Sequence, residues 1–358
     1  MRIVAAMSGG VDSSVAAALL AADGYDVVGL SMQLYDQSTG EQSFGSCCTL
    51  DDLTEARQVA NHIGIPHYIV NFERQFQETV VAHFIREYSV ARTPIPCVHC
   101  NSDLKFSSLL DRARGLDAAR VATGHYARVE RLESDNPAQE PRYVLRRAKD
   151  TQKDQTYFLF SLTQSQLEKA MFPLGGLMKS DVRRYASEQG LQVADKPDSH
   201  EICFVPDGDY ATFIERREPS IARSGAVKDP SGRILGRHSG IHRFTVGQRK
   251  GLGISSSERL YVTSLDATTA TVTLGPRAAL ERTTLTASTV NWISVKPKPE
   301  TTVTAKVRHH HPEARARVWP LADKRLKLEF DSPQTAIAPG QAVVLYDGDR
   351  VLGGGWID

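Results

Sequence analysis

An α/β domain on a mostly parallel sheet, a small central domain and a C-terminal β-barrel is the architecture the sequence predicts. Three observations predict it. Apolar strand-like runs alternate with helix-period segments through residues 1–130, the pattern of a parallel sheet that binds ligands at its carboxyl edge. Glycine and proline become frequent from about residue 206 to 253, as in a small loop-heavy module. Beyond residue 259, short strands with alternating faces dominate, which suits a small antiparallel barrel or sandwich. The boundaries expected are 1–206, 207–280 and 281–358.

The elements follow in order. Ile3-Val4-Ala5-Ala6-Met7 is an apolar run, followed by a glycine turn and a helix over residues 11–22. A strand is expected over 26–32, then a polar loop through Cys47-Cys48. Thr49, with Asp52 three residues on, forms a capping-box arrangement for a helix over 51–62. Residues 66–71 read as a strand and 76–91 as a helix, with Val80, Phe84 and Tyr88 four apart. A helix over 104–114 ends at Gly115, and 120–123 is a strand. Residues 143–147 are extended, and helices lie near 164–171 and 180–189. In the last third, Val303, Ala305 and Val307 share one strand face, as do Leu326, Leu328 and Phe330. Turns fall at Pro339-Gly340 and Asp347-Gly348.

The 358 residues carry a net charge of +1, with 41% hydrophobic and 24% charged residues. That balance is ordinary for a globular protein and argues against a generally basic nucleic-acid coat. The start is too short for a signal h-region, and no apolar stretch approaches the ~20 residues of a membrane span. Five cysteines are too few and too clustered for a secreted disulfide framework. A cytoplasmic protein is expected.

Ser8-Gly9-Gly10-Val11-Asp12-Ser13-Ser14 follows the first strand. Exposed amides at a helix start, with the dipole behind them, form an anion site. Two glycines let the backbone approach a phosphate, and Ser8, Ser13 and Ser14 add hydroxyls. A Walker-type Gly-Lys-Ser/Thr ending is absent, so this loop has no lysine for the γ-phosphate. Asp12 beside a polyphosphate calls for a cation such as Mg²⁺. The loop resembles the PP-loop of ATP pyrophosphatases, which release pyrophosphate and adenylate an acceptor. Gly124, just past the strand over 120–123, is expected to face the same crevice.

Cys97-Val98-His99-Cys100 lies in a loop opened by Thr93-Pro94-Ile95-Pro96, and Cys203 lies far away in Asp198-Ser199-His200-Glu201-Ile202-Cys203-Phe204. Three readings stand. A cysteine is often a small buried hydrophobe. A zinc set would join Cys97 and Cys100 to two of Cys47, Cys48 and His99, but one C-x-x-C is half a set. A redox pair would have one thiol carry sulfur and another resolve it through a disulfide. ATP-driven adenylation followed by sulfur attack is coherent chemistry for such a pair.

Lys306, Arg308, Arg315, Arg317, Lys324, Arg325 and Lys327 face only Glu313 and Asp323 within their own stretch, with His309-His310-His311 and Trp319 among them. Such a surface suits phosphate contacts and base stacking. Gly247-Gln248-Arg249-Lys250-Gly251 is either a flexible turn or a phosphate clamp.

These motifs together resemble the bacterial tRNA-specific 2-thiouridylases, end to end. The resemblance rests on Ser8–Ser14, Met32, the 93–106 loop, Thr123-Gly124-His125-Tyr126, Lys153-Asp154-Gln155, residues 198–204 and residues 245–253. It implies a PP-loop (adenine nucleotide alpha hydrolase-like) domain, a central domain and a β-barrel. It implies ATP-dependent 2-thiolation of the wobble uridine of glutamate, lysine and glutamine tRNAs. Cys203 would carry the persulfide, loaded by a cysteine desulfurase or sulfur-relay protein, and Cys100 would be the second catalytic thiol that pairs with it. Ala6, Met7, Ser8, Gly9, Gly10, Val11, Asp12, Ser13, Met32 and Gly124 would hold ATP with its Mg²⁺. Ile95, Pro96, Cys97, His125, Lys153, Asp154, Gln155, Arg308, His309 and Gln341 match positions that touch tRNA. Ile95 stands where asparagine is usual, Cys97 where many members have aspartate, and His309 where tyrosine is common. Two other readings are a different PP-loop ligase and a tRNA-binding or sulfur-carrier protein without turnover.

Overall fold

The structure, a computed structural model, describes residues 1–35, 49–133, 142–198, 202–205 and 208–358. Cys47, Cys48, Ser199, His200 and Glu201 lie outside the described residues. The chain forms two compact units, one of residues 1–80, 97–208 and 349–351, the other of 81–96, 209–348 and 352–358.

The first unit is built on a five-stranded parallel sheet in the order β3-β2-β1-β4-β7. Its strands are β1 (Arg2–Ala6), β2 (Asp26–Gln33), β3 (His67–Asn71), β4 (Arg120–Ala122) and β7 (Ala170–Met171). Ile3, Val4 and Ala5 are all buried, as expected of a central parallel strand covered on both faces. The sequence of strands runs outward in opposite directions from β1 and β4. Their carboxyl ends, carrying the Ser8 loop and Gly124, therefore border the switch-point crevice where such sheets bind ligands.

Helix α1 (Val11–Ala22) is buried along most of its length. Small residues at Ala16, Ala17 and Ala18 let it pack closely between α2 (Leu50–Ile63) and α8 (Lys179–Glu188). Both halves of the Thr49/Asp52 capping box are present at the start of α2, and Gly64 ends it in the left-handed conformation at φ 75°. A hairpin of β5 (Ala127–Leu132) and β6 (Arg142–Arg147) completes this unit; Asp349 accepts from Arg128 and Arg146 at 2.8 and 2.7 Å.

Two helices differ from expectation. The one expected over 76–91 begins at α3 (Glu73–Phe76), widens to a π-helical turn over Gln77–Val81 and resumes as α4 (Ala82–Ser89). The Pro96–Cys100 stretch is not loop. Pro96 opens α5 (Pro96–His99), a π-helical segment spans Cys100–Ser108, and α6 (Leu109–Arg114) follows. Proline breaks helices in their interior but suits the first helical turn, where its missing N–H costs nothing.

In the second unit, the loop-heavy region contains α9 (Tyr210–Arg217), capped by Asp209, and strands β8 (Gly225–Lys228) and β9 (Ile234–His238). These pair with β10 (Tyr261–Asp266) and β11 (Thr271–Gly275) in the order β10-β11-β8-β9, around Val227, Phe244, Val262 and Val272. The remaining strands are β12 (Glu281–Trp292), β13 (Thr301–Lys306), β14 (Ala314–Pro320), β15 (Leu326–Thr335), β16 (Ala342–Asp347) and β17 (Arg350–Ile357). Their order is β12-β15-β14-β13-β16-β17, and β17 pairs back on β12. Pairing without an edge makes this a closed barrel rather than a sandwich. Val303, Ala305, Val307, Leu326, Leu328 and Phe330 all fill its core.

Replacing Thr49 by Ala removes the acceptor for the Asp52 amide, at 3.1 Å. Denaturant unfolding is expected to show a loss of about 0.5–2 kcal/mol. An unchanged midpoint would mean the capping box contributes nothing to this unit.

Candidate active site

The Ser8–Ser14 loop is shaped by backbone contacts that only glycine permits. Gly9 has φ 73°, and a Cβ there would lie 2.3 Å from the Asp52 carbonyl oxygen. A Cβ on Gly124 would lie 2.6 Å from the Ser13 nitrogen, so the end of β4 is pressed onto the first turn of α1. Gly10 caps α1 without any side-chain hydrogen bond. The first amides of this helix are therefore left without a side-chain cap, which is the donor set an anion needs. Ser13 accepts from the Ser8 amide and donates to the Gly10 carbonyl, both at 3.1 Å, so its hydroxyl holds the loop's shape. Ser8 is exposed, whereas Ser14 is fully buried with no hydrogen-bond partner for its hydroxyl. Met7 and Met32 are buried beneath the loop, and Ser31 donates to the Met7 carbonyl at 2.7 Å.

Asp12 does not stand alone. Lys179, at the start of α8, reaches both of its carboxylate oxygens at 2.7 Å. Tyr126 donates to Asp12 at 2.8 Å. The same Lys179 ammonium lies 2.9 Å from Asp198, which also receives Lys153 at 2.7 Å and Arg183 at 3.0 Å. Burial alone would raise the Asp198 carboxyl, but the hydrogen bonds of Lys153 and Lys179 outweigh it and hold the group far below the usual carboxylate range. Burial and the Asp12 charge push the Tyr126 phenol up, so it stays a donor. A second lysine, Lys196, donates to the Gly9 carbonyl at 3.2 Å, to Asp52 at 2.6 Å and to Glu55. It ties the phosphate loop to α2.

Sequence reading missed Lys179, Lys196 and Tyr126 as site residues. Lys179 is 167 positions from Asp12, so no local spacing could reveal it. The one available signal was the unneutralised acid in an anion-binding loop, which demanded a cation from somewhere.

Cys97 is exposed, and Cys100 and Cys203 are half-buried. Cys100 opens the π-helical segment, a distortion found frequently at functional sites. Asn101 fastens that segment by donating to the Phe158 carbonyl at 3.2 Å, and Gln166 donates to the Ser102 carbonyl at 2.9 Å. On the Cys203 side, Phe204 sits edge-on against Phe76 with centroids 5.5 Å apart, and Tyr35 donates to the Cys203 carbonyl at 3.4 Å. Since α3, which carries Phe76, also packs against the Cys100–Ser108 segment, both cysteine-bearing segments rest on one short helix. Among the described residues, no group of three or more His, Cys, Asp and Glu could hold a metal.

The other expected contact residues divide by exposure. His125 is buried between Phe106 and Phe172 and hydrogen-bonded to Thr123 at 2.8 Å, and burial followed by the Lys105 charge lowers its pKa well below the ordinary value. Asp154 is buried and accepts from the Ala148 amide at 3.1 Å and the Thr156 hydroxyl at 2.7 Å. Gln155 accepts from the Tyr126 amide at 2.9 Å. In the 153–155 motif Asp154 is buried, Lys153 and Gln155 are half-buried, and the Lys153 ammonium is held by Asp198 at 2.7 Å.

In the second unit, Ile95 and Pro96 are buried, and Gln341 donates to the Thr93 carbonyl at 3.0 Å. Arg308 donates to the Val246 carbonyl at 2.9 Å, beside Gly247. A cavity of about 710 Å³ is lined there by Arg237, Arg243, Gly247, Gln248 and Arg308. His309 lies half-exposed next to Arg308. The basic stretch is less cationic than its sequence suggests. Arg317 pairs with Glu329 at 2.8 Å, Arg315 with Asp331 at 3.5 Å and Arg325 with Asp358 at 3.1 Å, all acids from outside the 306–327 stretch.

Residues 1–207 match a family described as the tRNA methyl transferase HUP domain. Residues 211–276 match the tRNA methyl transferase PRC-barrel domain, and 282–357 the aminomethyltransferase beta-barrel domain. A protein of Geotalea uraniireducens named tRNA-specific 2-thiouridylase MnmA is 52% identical, with 100% of this chain and 95% of that protein covered. Proteins of the same name from Halothermothrix orenii and Geobacter metallireducens are 46% and 48% identical. The first match covers 99% of this chain and 98% of the relative, the second 100% and 96%.

The closeness of Gly124 to α1 makes it a direct probe of the loop. Gly124→Ala is expected to weaken ATP binding more than tenfold in calorimetry, because the Ser13 backbone must shift. Gly176→Ala, where a Cβ meets nothing within 4 Å, is expected to leave it unchanged. Equal affinities for both variants would separate the loop from nucleotide binding.

Proposed function

This chain belongs to the tRNA-specific 2-thiouridylase family, and we propose from that membership that it uses ATP to convert the wobble uridine of tRNA, position 34, to 2-thiouridine. The observation that carries the reading is the uncapped start of α1 in the unit where the Cys100 and Cys203 segments meet on one helix. Methyl transfer, which two of the domain descriptions mention, needs neither an adenylating loop nor a pair of thiols. Thiolation needs both.

In this reading the amides of Val11, Asp12 and Ser13 and the Ser8 hydroxyl bind the phosphates, with Ala6, Met7, Gly9, Gly10, Met32 and Gly124 shaping the crevice. Mg²⁺ fits a site that offers one carboxylate, Asp12, with the phosphates supplying its other ligands, since this ion is commonly held by one or two carboxylates and substrate oxygens. It would screen the phosphate charge.

The uridine 2-oxygen attacks the α-phosphorus, the bond to the bridging oxygen breaks and pyrophosphate leaves with the electron pair. The terminal sulfur of a Cys203 persulfide then attacks C2, and AMP leaves with the former uridine oxygen. Cys100 attacks the Cys203 sulfur, releasing 2-thiouridine and leaving a Cys100–Cys203 disulfide, which an external thiol reduces. The wobble base must leave its stack to enter the crevice.

Lys153, Cys97, Arg308, His309 and Gln341 are the residues we assign to direct tRNA contact. Ile95, Pro96, His125, Asp154 and Gln155 support those contacts from the interior. A cysteine desulfurase or sulfur-relay protein supplies the sulfur, in the cytoplasm, and the substrates are tRNAs of the glutamate, lysine and glutamine type.

Purified protein with Mg-ATP, a desulfurase, cysteine and unmodified glutamate tRNA is expected to form 2-thiouridine, read by nucleoside mass spectrometry. Cys203→Ser should abolish it. Cys100→Ser should accumulate tRNA joined to Cys203 through a disulfide that dithiothreitol cleaves. Cys97→Ala should retain most activity. Full thiolation by Cys203→Ser would overturn the persulfide assignment.

A further inference from the structure

The phosphate loop lacks its own lysine, yet a lysine reaches it from another helix. We propose that Lys179 is the catalytic cation that receives the departing pyrophosphate of ATP. The proposal rests on the nucleotide reading above and adds a residue to it.

Three features carry it. First, the position is right: Lys179 contacts both oxygens of Asp12, the second residue of α1, whose own amide belongs to the anion-binding turn. An ammonium there lies beside any phosphate bound by those amides. Second, its base is rigid. The Lys179 amide donates to Asp150 at 2.9 Å, and α8 packs directly on α1, so the side chain pivots from a fixed point. The side chain is only 11% exposed, which keeps water from screening its charge.

Third, the ammonium can change partners without leaving either half-buried carboxylate unpartnered. Removing the partner of a buried charge is ordinarily costly. Here Asp198 keeps Lys153 and Arg183, and Asp12 keeps the Tyr126 hydroxyl. Lys179 is thus the one member of the cluster that both carboxylates can release. As the α-phosphorus bond to the bridging oxygen breaks, charge grows on the leaving pyrophosphate, and Lys179 donates hydrogen bonds to it. No proton is transferred, and the ammonium stays charged throughout. Asp198 is a positioning residue that holds Lys179 near Asp12 before ATP arrives.

The test uses the full chain with tRNA and Mg-ATP, measuring AMP and pyrophosphate formation. Lys179→Met is expected to lower kcat at least a hundredfold, as for the loss of one preorganised donor, with ATP affinity changed less than tenfold. Added propylammonium should restore part of the lost rate, a rescue that a merely structural lysine would not show. A kcat within threefold of wild type, or loss without rescue, would overturn the proposal. Wild-type protein that forms no AMP would instead sink the nucleotide reading itself. Should Lys179→Met fail to fold, a structure of the wild type with pyrophosphate decides. The Lys179 nitrogen is expected within ~3.2 Å of a phosphate oxygen, and its remaining on Asp12 with no phosphate contact would refute the assignment.

Discussion

The contact on which the site depends is the ion cluster in which the nearly buried Lys179 bridges the half-buried Asp12 and Asp198. An acid at the start of a helix that binds anions is tolerable only if it is neutralised. The dipole of α1 favours a negative charge at that end, but a polyphosphate arriving beside Asp12 does not. The bridge resolves the conflict by placing a cation where carboxylate and phosphate would otherwise repel. It also ties the phosphate loop to Asp198, five residues before Cys203 in sequence.

The rest of the first unit serves that cluster. Close approach of Gly124 to α1, the hold of Lys196 on Gly9 and the buried face of α1 leave the loop little freedom. Preorganisation of this kind matters because catalytic donors act without first being rearranged. The cysteines are arranged more loosely. Both are half-buried, Cys100 at the start of the π-helical segment and Cys203 in a turn beside Phe204, which meets Phe76 edge-on.

Much of this was legible in the sequence where the signal was local. The β1 strand, the glycine turn and α1 stand where the apolar run and the loop put them, and the capping box of α2 is formed in both halves. Alternation placed Val303, Leu328 and Phe330 in the barrel core correctly. Proline misled at Pro96, because the same residue breaks a helix interior and opens a first turn. Charge counting misled at residues 306–327, because the acids that pair with its arginines, Glu329, Asp331 and Asp358, lie beyond that stretch and are brought to it by the fold. The Lys179–Asp12 pair was invisible for the same reason. Long-range pairing is a property of the fold, and the sequence announced only that Asp12 needed a cation.

In the proposed reaction the phosphate loop activates the uridine 2-oxygen as the leaving group that sulfur displaces. Isotope transfer tests it most directly. A tRNA carrying ¹⁸O at the 2-position of the wobble uridine is turned over with unlabelled ATP in unlabelled water, and the AMP is analysed by mass spectrometry. One ¹⁸O atom is expected in AMP for each 2-thiouridine formed. Thiolation with the label released to water or pyrophosphate, and none in AMP, would contradict it.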